Sequence, residues 1–89
     1  MALSQAVKRF ERMQNNPRDN WDIDDIEVVC NHFGIQLKAP RRGSHYTISH
    51  KSQAAILTIP MRRKIKAVYI IEFVSFVDDV VRSNADGQS

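Results

Sequence analysis

The run Arg41-Arg42-Gly43-Ser44-His45 sets a histidine behind two guanidinium groups and a glycine. Histidine titrates nearest neutral pH and so can both take and return a proton. Guanidinium offers a planar fork of donors that fits phosphate. Glycine removes side-chain bulk where a ligand backbone must come close. A proton carrier, an anion grip and close backbone access are together what phosphodiester cleavage without a metal requires. His45 is therefore the candidate acid–base, with Arg41 and Arg42 to grip the phosphate and Gly43 to give access.

The other reactive side chains suit structural roles better. His32 falls near the C-terminus of a helix, where an imidazolium complements the dipole. His50 lies at a strand end and reads as a turn residue. Cys30 sits at an apolar helical position and reads as a small buried hydrophobe of a reducing compartment. A zinc site needs ligands at close spacing, and Cys30, His32, His45 and His50 follow no such pattern, so no metal is expected. Asp24 and Asp25 suit a helix start, and Asp78 and Asp79 an exposed late helical turn. No glycine-rich phosphate loop and no nucleophile elbow occurs. The stretch Arg62-Arg63-Lys64-Ile65-Lys66 reads equally as a solvated loop or as phosphate contacts aided by a helix N-terminus.

The elements that must position these groups follow from periodicity. Ala6, Val7, Phe10 and Met13 predict a helix over 3–15, with Ser4 a candidate cap and Asn15-Asn16-Pro17 its end. Trp21 is expected to fold back as a plug. Asp22 caps a second helix over 23–33, which buries Ile26, Val29, Cys30 and Phe33 and stops at Gly34. Short alternating runs at 35–38, 46–49 and 55–59 predict strands, and the connections between them suit an antiparallel meander. A last helix is expected from about Lys66 to Arg82, on Tyr69, Ile70, Phe73, Val74, Phe76, Val77, Val80 and Val81. Residues 83–89 are expected to be a flexible tail.

At 89 residues, 43% hydrophobic and 26% charged, the chain is expected to form one globular domain, 1–89, with a single modest core. No signal peptide opens it, and Glu72, Asp78 and Asp79 interrupt the most apolar stretch. A cytoplasmic protein with no membrane contact is expected. The net charge of +3 is small, so its distribution matters more than its total. Lys38, Arg41, Arg42 and Lys51 form one basic group, and Arg62, Arg63, Lys64 and Lys66 another. The acids Asp19, Asp22, Asp24, Asp25 and Glu27 gather elsewhere, which favours a polyanionic partner.

The predicted order is α+β: a helix, then αβββα, the order of the double-stranded-RNA-binding fold, with helices on one face of a three-stranded antiparallel sheet. Alternation then divides the strands. Ile35, Leu37, Tyr46, Ile48, Leu57 and Ile59 face the helices. Gln36, Lys38, His45, Thr47, Ser49 and Thr58 face outward, with Ile56 the one apolar intruder. A bulge near Gly43 would reverse the placement of His45.

Arg42-Gly43-Ser44-His45-Tyr46 before a strand, Ile56-Leu57-Thr58-Ile59-Pro60 in the next, and a basic link into a helix near Val68-Tyr69-Ile70 resemble the HicA toxins of bacterial toxin–antitoxin pairs. The segment Asn16-Pro17-Arg18-Asp19 with Trp21 resembles the longer members, which carry an extra N-terminal helix. The resemblance implies a double-stranded-RNA-binding-like fold, ribosome-independent cleavage of mRNA and no cofactor. It also implies a HicB-type antitoxin that covers the active site and supplies any contact with DNA. It makes His45 catalytic and groups Gly43 and Ser44 with it. Lys38, Arg41, Arg42, Thr47, Arg62, Arg63 and Lys64 then become candidates for RNA contact. Two departures stand out. Tyr46 occupies the place of a second histidine found in many members, and Met61, Arg62 and Arg63 follow the strand where some members have a histidine. The rival expectations are an RNA-binding module of the same fold without chemistry, and a protein–protein adaptor.

Overall fold

Ser4 opens the first helix. Its hydroxyl accepts the Val7 N–H at 3.1 Å, occupying one of the donors a helix start leaves unpaired. The computed structural model describes residues 4–60 and 64–87. In chain order the elements are α1 (Gln5–Asn15), α2 (Ile23–Phe33), β1 (Gln36–Lys38), β2 (His45–Ser49), β3 (Leu57–Pro60) and α3 (Ala67–Gly87). The fold is α+β, a three-stranded antiparallel sheet ordered β1-β2-β3 with the αβββα succession behind one additional helix.

Asp22 caps α2 in both directions. Its carboxylate accepts from the N–H groups of Asp24 and Asp25, while the Asp25 carboxylate accepts the Asp22 N–H at 3.0 Å. This capping box suits the positive helix end. At the other end Gly34 takes the left-handed conformation, φ 69°. The Ile35 N–H then turns back to the Cys30 carbonyl at 2.9 Å. That bond is why β1 begins at Gln36 rather than at Ile35.

Helix α1 packs on α2 and α3 and does not approach the strands. Phe10 meets Phe33 edge-on at 5.6 Å between ring centroids, a favoured aromatic geometry. Arg9 reaches Asp25 at 3.4 Å. Helix α2 lies against β1 and α3 against β3. The core they enclose contains Ile26, Val29, Ile48, Ile59, Ile70 and Phe73, all inaccessible to solvent. Each such side chain contributes roughly 1.5–3 kcal/mol by leaving water. That burial holds α3 helical despite its β-branched residues, whose intrinsic helix preference is low.

Some expected boundaries move. Strand β2 starts at His45, one residue early, and β3 spans Leu57–Pro60 because Ala54 and Ala55 form a bend. Helix α3 continues to Gly87, where a flexible tail from residue 83 was expected. Ser83-Asn84-Ala85-Asp86 contains no proline, so nothing interrupts the helical hydrogen bonds before that glycine. Val81, expected on the apolar face, is 41% exposed. Val77 and Val80 occupy the inward positions, and one further residue turns the side chain about 100° around the helix.

Trp21 is the plug the sequence suggests, and it is also a tie between segments. Its ring is buried, its indole N–H donates to the Asn16 carbonyl at 2.9 Å, and the Arg12 guanidinium lies over it at 5.3 Å. Its own carbonyl accepts the Ile65 N–H at 2.9 Å. Ile65, read from sequence as part of a basic run, is buried. The bond and the burial fix the loop entering α3. Trp21→Ala is expected to lower unfolding stability by about 3–5 kcal/mol, read by urea denaturation; a loss under about 1 kcal/mol would contradict this role.

Candidate functional site

The strand register decides which side chains share a surface. Leu37 pairs with Ile48 and Ile48 with Leu57, a row facing the helices. One step along, Lys38 pairs with Thr47 and Thr47 with Thr58. Because side chains alternate, that row faces outward, as do Gln36 with Ser49 and His45 with Pro60. Gln36, Lys38, His45 and Thr58 are exposed, while Thr47 and Ser49, on the central strand, are half-buried between neighbours. No helix covers this face among the described residues.

His45 stands at the first position of β2, in the end pair of the ladder with β3, opposite Pro60. The Ser44 hydroxyl approaches its Nδ1 at 3.5 Å, the outer limit of a hydrogen bond. Gly43 has φ +89°, and a Cβ there would meet no atom within 4 Å. The positive φ is what favours glycine within the chain itself, since no neighbouring protein atom requires the missing Cβ. That turn delivers the chain into the ladder without a bulge within β2, and the outward placement of His45 stands.

Lys38, Arg41, Arg42 and Thr47 line one open depression of about 710 Å³, completed by Ala39 and Pro40. His45 is not part of its wall. It lies two residues from Thr47 on the same face, roughly 7 Å along the strand. Among the described residues the ion pairs are Arg9–Asp25 and Arg12–Asp19, so no carboxylate neutralises Lys38, Arg41 or Arg42. Three cations in one depression, unpaired and beside hydroxyl groups, suit an oligoanion threaded across the sheet.

Lys64 does not join this group. It borders a separate depression of about 580 Å³ with Arg18, Lys66 and Ala67, beside the start of α3. Arg62 and Arg63 lie outside the described residues. Tyr46 is half-buried and pairs with Ile59 on the covered side of the sheet. It therefore points away from His45 and cannot replace a second acid–base beside it. Among the described residues, no three His, Cys, Asp or Glu side chains gather as a metal-binding cluster.

His50 is more than the turn residue its position suggests. Its Nδ1 accepts the Ser52 N–H at 3.0 Å and lies 2.7 Å from the Ser52 hydroxyl, which in turn accepts from Gln53 Nε2 at 3.2 Å. The chain turns here with the Gln53 N–H on the His50 carbonyl at 3.0 Å. The spacing His-x-Ser after a strand was the available signal, because serine commonly bonds locally in turns.

No protein-family model, no curated protein and no solved structure matches this chain. Among the described residues, no helix is long and apolar enough to cross a membrane.

Cys30 is inaccessible to solvent. Burial, and secondarily the charge of Glu27, push its thiol from 9.0 up to about 12. A thiolate is the nucleophilic form, so Cys30 serves packing and not catalysis. In the folded protein it is expected to resist an aromatic disulfide reagent at pH 8 and to react on unfolding. Above the ordinary thiol value the unfolded chain sheds this proton while the folded one keeps it. The stabilisation from the neutral thiol is thus complete below pH 9 and lost as pH rises toward about 12. Rapid labelling of native protein, with no accompanying unfolding, would show Cys30 to be accessible.

Proposed function

We propose that the chain is a HicA-type toxin: a ribosome-independent endoribonuclease that cleaves mRNA by metal-independent acid–base chemistry at His45. The observation that carries this is the uncovered sheet face on which exposed His45 stands beside Lys38 and the Arg41–Arg42 turn, cations with no carboxylate partner among the described residues. In the proposed step an RNA 2′-oxygen bonds to the adjacent phosphorus as His45 takes its proton. The bond to the 5′-oxygen breaks, that oxygen takes a proton from solvent water as it leaves, and the His45 imidazolium gives its proton back to solvent. The products are a 2′,3′-cyclic phosphate and a 5′-hydroxyl, and addition of water to the first gives a 3′-phosphate. Arg41, Arg42 and Lys38 offset the charge that develops on the phosphoryl oxygens.

The Ser44 hydroxyl lies 3.5 Å from Nδ1, so Nε2 is the ring nitrogen offered to substrate in this proposal. Nothing on the covered face assists. With one acid–base group the expected catalysis is modest, and a slow nuclease is enough to arrest growth when unopposed. The partner in this proposal is a HicB-type antitoxin that occupies the open face, excludes RNA and makes any contact with DNA. A cytoplasmic site of action follows from the mRNA substrate.

Purified protein is expected to cleave single-stranded RNA equally well with and without EDTA. His45→Ala is expected to lower the rate by ~10² to 10⁴, with circular dichroism unchanged because the side chain is exposed. Expression of wild type should arrest growth, and expression of His45→Ala should not. Undiminished cleavage by His45→Ala would end the assignment, and abolition by EDTA would end the metal-free part. RNA binding with intact RNA throughout would instead identify a binding module.

A further inference from the structure

We propose a nucleobase subsite for single-stranded RNA at the end of the open sheet face opposite His45. It rests on the ribonuclease reading above and adds the element that would select sequence. An open depression of about 630 Å³ lies there, with Gln36, Ser49, His50, Lys51, Gln53 and Ile56 in its wall. Ser49 is four residues beyond His45 on the same face of β2, roughly 14 Å along the strand. An extended strand of RNA lying along β2 therefore passes both.

The chemistry of this depression differs from that of the arginine turn. There the walls carry Lys38, Arg41 and Arg42. Here, among the described residues, they carry one lysine, no carboxylate, and a set of neutral donors and acceptors. Charged groups fit phosphate, and neutral amides fit the edges of bases. Ile56 is 62% exposed, an apolar side chain among polar ones, and offers the face of a base a surface to cover.

The polar groups are also held in place. The Ser49 hydroxyl donates to Gln36 Oε1 at 3.4 Å, which turns the Gln36 NH₂ outward as a donor. Gln53 Nε2 is engaged on Ser52, which leaves its Oε1 as an acceptor. His50 accepts from Ser52 at Nδ1, so its neutral ring presents Nε2–H. Donor, acceptor and imidazole N–H are thus fixed by local bonds before any ligand arrives. Such prior ordering lowers the entropic cost of recognition. Lys51 then supplies the contact to the flanking phosphate.

The test uses the full chain carrying His45→Ala, so that RNA stays intact, with single-stranded octamers of A, C and U as probes. Fluorescence anisotropy is read across a salt series. The parent is expected to prefer one octamer. Adding Gln36→Ala and Gln53→Ala should weaken that octamer about fivefold, leave the least favoured one unchanged and preserve the salt slope. Adding Arg41→Ala and Arg42→Ala instead should weaken all three and flatten the salt slope. Retained preference in the glutamine variant, equal weakening of every octamer, or no preference in the parent overturns the subsite and leaves the ribonuclease reading standing. Failure of the parent to bind any octamer overturns both. Circular dichroism of each variant confirms folding; neither glutamine is buried.

Discussion

The row Leu37–Ile48–Leu57 is the constraint on which the surface chemistry depends. Ile48 is inaccessible to solvent at the centre of the sheet, and its neighbours flank it on both strands. Side chains alternate with a period of two, so a slip by one residue would carry Ile48 outward and His45, Thr47 and Ser49 inward. The cost of exposing one isoleucine and burying polar groups in its place is several kcal/mol. Apolar burial on one face therefore fixes the position of each polar group on the other. The strands are short, and the register holds because only one face is covered.

That second face stays open because the helices are committed elsewhere. Helix α1 is spent on α2 and α3, with Phe10 and Met13 buried between them and Arg9 tied to Asp25. Trp21 then joins the α1–α2 loop to the segment entering α3 through the Ile65 N–H. Two helices, α2 and α3, thus cover one side of a three-stranded sheet, and α1 braces them from behind. A chain of this length has little apolar material left for a second layer.

Much of this was legible because it rests on short-range rules. Ser4, Asp22 and Gly34 mark helix ends through single side chains or a single backbone conformation. Alternation placed Lys38, His45, Thr47 and Thr58 on one face, since it requires only that the strands exist. What escaped depended on contacts distant in sequence. Ile65 looked like one apolar residue inside a basic run, and only the Trp21 carbonyl explains its burial. The continuation of α3 past Arg82 lacked a stop signal that could be read in either direction. Lys64, read as part of a second basic group, was a candidate for RNA contact alongside Arg41 and Arg42. The loop after β3 instead sets it beside Arg18, because Ile65 anchors that loop toward Trp21. Gly43 was legible as a point of close access, but the φ of +89° that its turn uses was not, because the glycine's positive φ depends on how the Ala39–Ser44 connection folds.

The open face divides its labour by charge. In the proposed ribonuclease, cations at the Arg41–Arg42 turn with no carboxylate partner among the described residues would confer affinity for any polyanion and little discrimination. At the His50 turn, amides and an oriented imidazole would in the same proposal confer discrimination and little affinity. A nuclease with a single proton carrier gains little from tight, uniform binding, which does not speed the chemical step. It gains more when contacts remote from the reacting bond hold the substrate in register, so that the 2′-hydroxyl lies beside His45 and not one nucleotide away. The rigid ladder between Ser49 and His45 sets that spacing at four residues. Sequence preference and catalytic geometry would then be two consequences of the same strand.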